Sequence, residues 1–274
     1  MAKYRGIYIS TYIPLSIRLL RSIRDLSTEK EVDDRIDSLL TQNSMKTRRA
    51  IRCDFKRRYL IFNEGQLVKT SLLDIVSHTD NLALIRELLY YHYVLAEKIG
   101  AEVVMDVLYP HLPNAEYKRD EVMSYLAKKM PEMAERTWHN VYSFLRTALK
   151  DFGLLKNADN KWFARPYSPE LGSFVYALYY EFTVGQNYLN PRVSYLLEEA
   201  EFPRLFLMSH GSVRDYVQRA RRAGLISYEV CAGDEQVALI HKSLDRVTGE
   251  IIRRYGEKVG WELRAYKHLR RGKA

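Results

Sequence analysis

The chain has 274 residues, which is long enough for one large domain or for two to three small ones with a substantial core. Hydrophobic residues make up 47% of it, which excludes a disordered basic tail, and no run of about 18 apolar residues predicts a membrane-spanning helix. Lysine and arginine number 43 against 34 aspartates and glutamates, and the resulting formal net charge of +9 favours polyanionic partners.

The cysteines and the first residues indicate a compartment. Cys53 and Cys231 lie far apart and form no CxxC pair, which argues against a disulfide framework and a zinc ribbon. Polar and basic residues interrupt each apolar run at the start of the sequence, so it lacks the core of a signal peptide. We therefore expect a cytoplasmic protein without a membrane partner.

Two helices are predicted in the first forty residues. Residues 14–26 carry apolar side chains at helical spacing, and Pro14 is acceptable in a first turn. A second helix extends to Leu40, because Thr28 and Glu31 have the spacing of a capping box.

A basic helix is predicted next, from about Ser44 to Ile61. Ile51, Phe55 and Phe62 form its apolar stripe. The opposite arc, expected to face solvent, carries five cations: Lys46, Arg49, Arg52, Lys56 and Arg57. Neighbouring cations repel one another unless an anion lies opposite, and helix, short turn, basic helix is the order of a helix-turn-helix. This face is a candidate nucleic-acid surface; a solvated or intramolecular face is the alternative interpretation.

Residues 67–108 are predicted to be helical and mostly apolar. Tyr90, Tyr91 and Tyr93 surround His92 in this region. The pattern favours a packed core seam, and a platform on which bases stack is the alternative.

A second helix-turn-helix is predicted after this region. A helix at 119–130 ends at Pro131, and Thr137 is the expected cap of a helix that ends at Gly153. Strand, turn and strand at 153–163 then predict a wing. The second helix presents His139, Asn140, Ser143, Arg146, Thr147 and Lys150, so we expect a scaffold or a protein-facing surface.

A third unit begins with helices at 169–182 and 192–199. A short basic helix follows, with Ser212 as its predicted cap and Gly224 as its end. Its apolar face contains Val213, Val217 and Ala220, whereas its basic face contains Arg214, Gln218, Arg221 and Arg222; Arg219 points away from the basic face. This is the candidate recognition helix of a winged helix-turn-helix.

The C-terminal segment completes the third unit. Strands at 226–230 and 236–240 predict its wing, and a helix from Leu244 to about Tyr255 leads into a basic tail. Lys267, Arg270, Arg271 and Lys273 lie in that tail. FGLLK at Phe152–Lys156 and AGLIS at Ala223–Ser227 each close an amphipathic helix, which supports a repeated architecture.

Catalytic and cofactor-binding motifs are missing from the sequence. It contains no GxGxxG, GxxxxGK[ST], HExxH or GxSxG. The seven histidines have no ligand spacing, and the adjacent carboxylates at 33–34 and 198–199 would point in different directions on a helix. We therefore predict no catalytic residue, no metal site and no cofactor.

Three stretches carry a resemblance to a known family. They are TRRAIRCDFKRRY at Thr47–Tyr59, RTWHNVYSFLRTALKDFGLLK at Arg136–Lys156, and YSPELGSFVYALYY at Tyr167–Tyr180. With the order of elements from Tyr8 to Ile226, they resemble the BrxA family, the small accessory proteins of BREX bacteriophage-defence systems. The resemblance implies a helical, winged-helix protein that binds double-stranded DNA without catalysis. The long extension after Ile240 departs from the family.

The expected fold is all-α with small β-wings, built from repeated winged helix-turn-helix units. Its predicted domains are an N-terminal helix-turn-helix domain at 1–66, a central helical domain at 67–166, and a C-terminal winged-helix domain at 167–274. The predicted function is that of a non-catalytic accessory protein that binds double-stranded DNA and meets other defence-system proteins. Two alternatives remain: a protein–protein adaptor in a defence complex, and an RNA-binding helical protein. The missing motifs disfavour an enzyme.

Overall fold

Helices predominate in residues 11–231 and 233–256, the part of the chain that the computed structural model describes. The strands of this part form three small antiparallel sheets. The predicted helical class with small β-structure is confirmed. Within these same residues, no helix combines the length and the hydropathy needed to cross a bilayer.

Three helices and a hairpin form the first part of the fold. They are α1 (Ile13–Ile23), α2 (Glu29–Leu39), α3 (Met45–Tyr59), β1 (Phe62–Asn63) and β2 (Gln66–Leu67). The predicted capping box is confirmed, because Thr28 Oγ1 accepts from Glu31 N and the Glu31 carboxylate accepts from Thr28 N at 2.9 Å. Phe62 lies in β1, so its placement on the helical stripe was wrong. Thr28 also bridges to Gln66, which joins the start of α2 to β2.

Helix α5 (Leu82–Ala96), which follows α4 (Ser71–His78), is the centre of the molecule. It packs against α1, α3 and α4 on the N-terminal side and against helices of the later parts on the other. Tyr90, Tyr91 and Tyr93 are at most 2% exposed, and Tyr90 Oη donates to Leu205 O at 2.7 Å. The core interpretation of these tyrosines is confirmed, since a buried ring cannot serve as a base-stacking platform.

In the middle part, two helices lie between the first and second strands of one sheet in the order of the chain. Its elements are α6 (Lys98–Val103), a π-helical turn (Val104–Leu108), β3 (Ala115–Glu116), α7 (Arg119–Lys129), α8 (Glu135–Phe152), β4 (Leu155–Ala158) and β5 (Lys161–Ala164). The strand order is β3–β5–β4, and Ala164 is paired with Ala115 on one side and Leu155 on the other. The predicted hairpin is confirmed. The cap of α8 is Ala134 and not Thr137, and Gly153 ends the helix with φ 88°.

The last part has the same alternation. Its elements are α9 (Leu171–Tyr179), a π-helical turn (Tyr180–Gly185), α10 (Val193–Glu198), α11 (Glu201–Leu205), α12 (His210–Arg222), β6 (Ser227–Cys231) and β7 (Asp234–Ala238), followed by helical residues 244–256. The chain before α10 lies along β7, since Pro191 O accepts from Val237 N at 2.9 Å. Strand β7 begins two residues before the predicted strand. The predicted basic tail lies outside the described residues.

One hydrophobic cluster runs through all three parts, from Leu19 to Ile251. Burial of this large apolar surface is the main stabilising contribution to the fold. The cluster crosses the boundaries of the three predicted domains, and the division into domains stays a prediction.

Candidate nucleic-acid interface

One face of α12 is fixed to the core. Val213, Val217 and Ala220 are buried as predicted, and Tyr216 joins them. The Tyr216 hydroxyl donates to Pro169 O, and its ring lies 5.2 Å from that of Phe174. This anchoring leaves the opposite face in one fixed orientation.

The start of α12 differs from the prediction. Ser209, and not Ser212, is its N-cap, and Ser209 Oγ accepts a hydrogen bond from Ser212 N at 3.2 Å. The helix is therefore three residues longer at its N-terminal end. Ser209 was missed because both serines are suitable caps, and the one that is used was not distinguished by the sequence pattern.

The other face of α12 carries exposed arginines. Arg214, Arg221 and Arg222 are exposed, and Gln218 is half-buried. The Arg221 guanidinium lies 5.5 Å from the centre of the Tyr228 ring on β6, which positions it without neutralising it. No carboxylate of the described residues forms a salt bridge with Arg221 or Arg222. Two cations at the end of the helix thus remain available to an anion.

Two arginines of α12 have intramolecular partners. Arg214 forms a 2.5 Å salt bridge with Glu235 of β7, in which both side chains are at least one-third exposed. Arg219 lies on Tyr216, 4.4 Å from the ring centre, and 3.8 Å from Asp215, the single acid of α12. Arg219 thus lies away from the predicted basic face, as expected.

The charge of Glu235 is maintained by its neighbours. A hydrogen bond from the Tyr228 hydroxyl and a second one from Arg214 lower the pKa of the Glu235 carboxyl. Glu235 is therefore ionised at neutral pH and competes with any external anion for Arg214.

The candidate surface on α3 is divided. Lys46 and Arg49 are exposed and have no salt bridge within the described residues. Arg52 and Lys56, in contrast, lie against α2: Arg52 pairs with Asp37, and Lys56 Nζ is 2.7 Å from Asp33 Oδ1. The prediction that Arg52 and Lys56 face solvent was wrong, because the anion opposite them is part of the same chain.

The ion pairs of Lys56 dominate its ionisation. Burial disfavours the charged ammonium, but hydrogen bonds to Asp33 and Glu29 outweigh that cost and raise the pKa of Lys56. The side chain is only 18% exposed. These contacts make Lys56 a bridge between α3 and α2.

Arg57 points toward the end of α5. Its guanidinium donates to Ala96 O at 2.9 Å and contacts Glu97 and Asp54. Burial opposes its charge, yet the hydrogen bond to Glu97 raises the pKa of Arg57. The solvent-facing position predicted for Arg57 was also wrong.

Arg58 completes this buried network. Glu97 accepts from Arg58 Nε at 2.9 Å, and the side chains of Arg58 and Glu97 are 3% and 2% exposed. The Arg58 guanidinium also lies 4.9 Å from the centre of the Tyr93 ring. This arrangement fastens the end of α3 to α5.

Helix α8 contributes to a groove that the sequence did not predict. The groove has a volume of about 570 Å³ and lies between α7, α8 and β5. Its cations are Lys118, Arg119, Arg146 and Lys161, and its acids are Glu116, Asp120 and Glu121. Lys161 is 3.4 Å from Glu116, so part of the charge is internally balanced. Only the three-dimensional approach of β5 to α7 could reveal this groove.

In the described part of the chain, no three His, Cys, Asp or Glu side chains are grouped as metal ligands would be. Cys53 is exposed and free. The exposed arginines and lysines of these surfaces are groups that can bind anions.

The chain is similar in fold to SspB, as seen in its crystal structure. The similarity has a TM-score of 0.60 and covers 95% of each chain at 11% sequence identity. At that identity the likeness concerns the fold alone. No family model matches the sequence, and no curated protein matches it either.

Proposed function

We propose that the protein binds double-stranded DNA without catalysis, with α12 as the recognition helix. The observation that carries the proposal is the division of α12 into a buried face and a face with exposed arginines, next to the β6–β7 hairpin. A recognition helix needs its inner face fixed so that its outer side chains reach the major groove. Arginine can contact phosphates or base edges from there.

The order of elements supports a winged helix-turn-helix for each part of the chain. In each part, a short extended segment precedes two or three helices and a hairpin, and the segment bonds to the second strand of that hairpin. The pairs are Thr28 with Gln66, Ala115 with Ala164, and Arg192 with Gln236. We infer three such units, in which the last helix before the hairpin is α3, α8 or α12.

The three corresponding helices differ in the charge they leave available. Helix α3 has two of its five predicted cations exposed and unpaired within the described residues, and α8 is less basic. Helix α12 presents Arg221 and Arg222 to solvent, with Asp215 as its single acid. This difference favours α12 as the principal DNA contact and assigns α3 a mainly structural role.

The biological setting rests on the resemblance to the BrxA family. We propose that DNA binding serves a BREX-like bacteriophage-defence system, in which the protein is an accessory component and contacts other defence proteins. Purification of the tagged protein from a nuclease-treated lysate tests the adaptor alternative, because protein contacts survive nuclease whereas DNA-bridged ones do not.

Two charge reversals on α12 test the DNA proposal. Arg221→Glu removes a cation from the exposed face, whereas Arg219→Glu makes the same change at the side chain that lies on Tyr216. We expect Arg221→Glu to weaken binding to a random-sequence duplex about tenfold or more and to flatten the salt dependence by about one unit. Arg219→Glu should have a clearly smaller effect.

Fluorescence anisotropy over a salt series measures both quantities, and circular dichroism verifies that each variant is folded. Equal DNA affinities of the two variants would contradict the proposal that α12 lies in the DNA groove. A matched RNA that competes better than the duplex would favour the RNA alternative.

A further inference from the structure

A pocket of about 530 Å³ lies between the N-terminal part and the last part of the fold, and its volume is within the usual range for small-molecule sites. The end of α3, the start of α4, α5, the π-helical turn after α9 and residues 242–245 form its walls. Among the described residues that line it, none belongs to α8, α12 or the hairpins that follow them.

One wall of the pocket is aromatic. Tyr176 and Tyr180 are stacked at 6.1 Å with an interplanar angle of 25°, and His92 meets Tyr180 edge-on at 5.3 Å. His92 Nε2 and the Tyr176 hydroxyl share a hydrogen bond of 2.7 Å, which fixes both rings. Such a rigid wall suits a flat ring, because stacking then costs little side-chain entropy.

The rim of the pocket is apolar and open. Ile61, Val68 and Val184 line it, and all three are among the exposed large hydrophobic residues, at 54%, 38% and 58%. Exposed apolar side chains gathered around a concave site are typical of ligand-binding surfaces.

The pocket has a cationic character. Lysine and arginine side chains contribute four of its lining residues, against one carboxylate, that of Asp245. Asp245 accepts a hydrogen bond from Ser71 at 2.8 Å, and Arg57 and Arg58 are held by Glu97. Lys242 is exposed and has no salt bridge within the described residues. Lys69 Nζ donates to Leu26 O at 2.6 Å, which leaves the Lys242 ammonium, among the described lining residues, as the group for a ligand anion.

The backbone at Lys242 supports this assignment. Its φ is 53°, in the left-handed region that favours glycine, so a lysine there has a conformational cost. Strained positions of this kind cluster at functional sites.

We propose that the pocket binds a small aromatic anion of the size of a nucleoside monophosphate. The ring would lie in the aromatic part beside Tyr180, and the phosphate would be held by the Lys242 ammonium. Burial lowers the pKa of His92 to about 4, so its ring is neutral at physiological pH and adds aromatic surface without charge.

The test uses the four ribonucleoside monophosphates as probes in isothermal titration calorimetry with the full-length protein and without DNA. We expect at least one of them to bind in the micromolar range. Its free nucleoside and ribose 5-phosphate, which each supply one half of the ligand, should bind much more weakly. Failure of all four to bind at about 1 mM would overturn the proposal. Ribose 5-phosphate binding as tightly as the nucleotides would overturn its aromatic part.

Two variants connect binding to the pocket. Lys242→Gly removes the ammonium while it relieves the left-handed backbone, so the Tm should stay equal or rise while affinity falls about tenfold or more. Val184→Glu places a negative charge on the exposed rim and should also weaken binding. Leu82→Glu, at a residue that is 63% exposed and outside the pocket, is the matched control.

Unchanged nucleotide affinity in both Lys242→Gly and Val184→Glu would place binding elsewhere and contradict the proposal. DNA affinity is measured separately on the same variants, and we expect no change in it. Failure of nucleotide binding would contradict the pocket proposal but not the proposal that α12 binds DNA. Failure of Arg221→Glu to weaken DNA binding would contradict the α12 proposal but not the pocket proposal.

Discussion

Helices α3 and α12 have similar basic faces in the sequence but different surroundings in the structure. Helix α2 presents Glu29, Asp33 and Asp37 at four-residue intervals, and this acidic row lies against Arg52 and Lys56. Near α12, the exposed Glu198 and Glu199 of the α10 end form no salt bridge with its arginines within the described residues. The charge of a helix therefore indicates a binding surface only when the face it packs against is known.

We expect the largest effect on stability when Glu97, the buried carboxylate at the end of α3, is replaced, and a much smaller one for Glu235, which lies beside α12. Glu97→Gln should lower the free energy of unfolding by about 3 kcal/mol, because it removes the buried carboxylate that contacts both Arg57 and the buried Arg58 guanidinium and leaves them the more exposed Asp54. Urea denaturation followed by far-UV circular dichroism measures the change.

Glu235→Gln is the matched control for that experiment. The Arg214–Glu235 pair is largely exposed, so its loss should change the free energy of unfolding by less than about 1 kcal/mol. If the two variants were equally stable, the buried network would not be what fastens α3 to α5.

A smaller effect is expected from the cations of α3 itself. The double variant Arg52→Ala, Lys56→Ala should be destabilised by about 1–2 kcal/mol, because these half-buried side chains join α3 to α2. The double variant Lys46→Ala, Arg49→Ala removes the same charge from exposed positions, and its free energy of unfolding should differ from that of the unsubstituted protein by at most about 0.5 kcal/mol. Thermal and urea unfolding give both values.

The same pair of variants tests the DNA assignment of α3. We expect Arg52→Ala, Lys56→Ala to retain the salt dependence of duplex binding at a temperature where it is folded. If this variant were as stable as the unsubstituted protein and its DNA binding depended less steeply on salt, Arg52 and Lys56 would be DNA contacts.

Local signals in the sequence predicted most of the helices and hairpins. The capping box at Thr28 and Glu31, the break at Gly153 and the buried face of Val213, Val217 and Ala220 each follow from spacing within a few residues. Such signals depend on the backbone of one element, which is why they survive folding unchanged.

The candidate sites were less predictable because they depend on contacts between distant elements. The acids at 29, 33 and 37 were visible in the sequence, but their approach to Arg52 and Lys56 depends on how α2 packs against α3. The residues that line the pocket beside Lys242 are spread through the sequence between positions 57 and 245, and no local pattern in the sequence indicates that they lie together. The left-handed backbone of Lys242 likewise becomes visible only in the fold.

The smallest predicted effect concerns the availability of Arg214. A hydrogen bond from Tyr228 and the pairing with Arg214 lower the pKa of Glu235, so this carboxylate stays ionised at and well below neutral pH. The stabilisation from this pairing is present above the ordinary pKa of a glutamate and is lost as the pH falls through the lowered value. Release of Arg214 near neutral pH therefore needs a substitution.

Glu235→Gln removes the competing charge and keeps an acceptor for the Tyr228 hydroxyl, which now donates at 2.7 Å. We expect duplex affinity to rise about two- to threefold and the salt dependence to steepen by at most about one unit, because Arg214 can then neutralise a phosphate. The gain should disappear when Arg214→Ala is added, which a double-mutant cycle in fluorescence anisotropy measures. A fall in affinity on Glu235→Gln would instead show that Glu235 orients Arg214 for DNA, and a gain that persists with Arg214→Ala would show that Glu235 acts by general repulsion of phosphates.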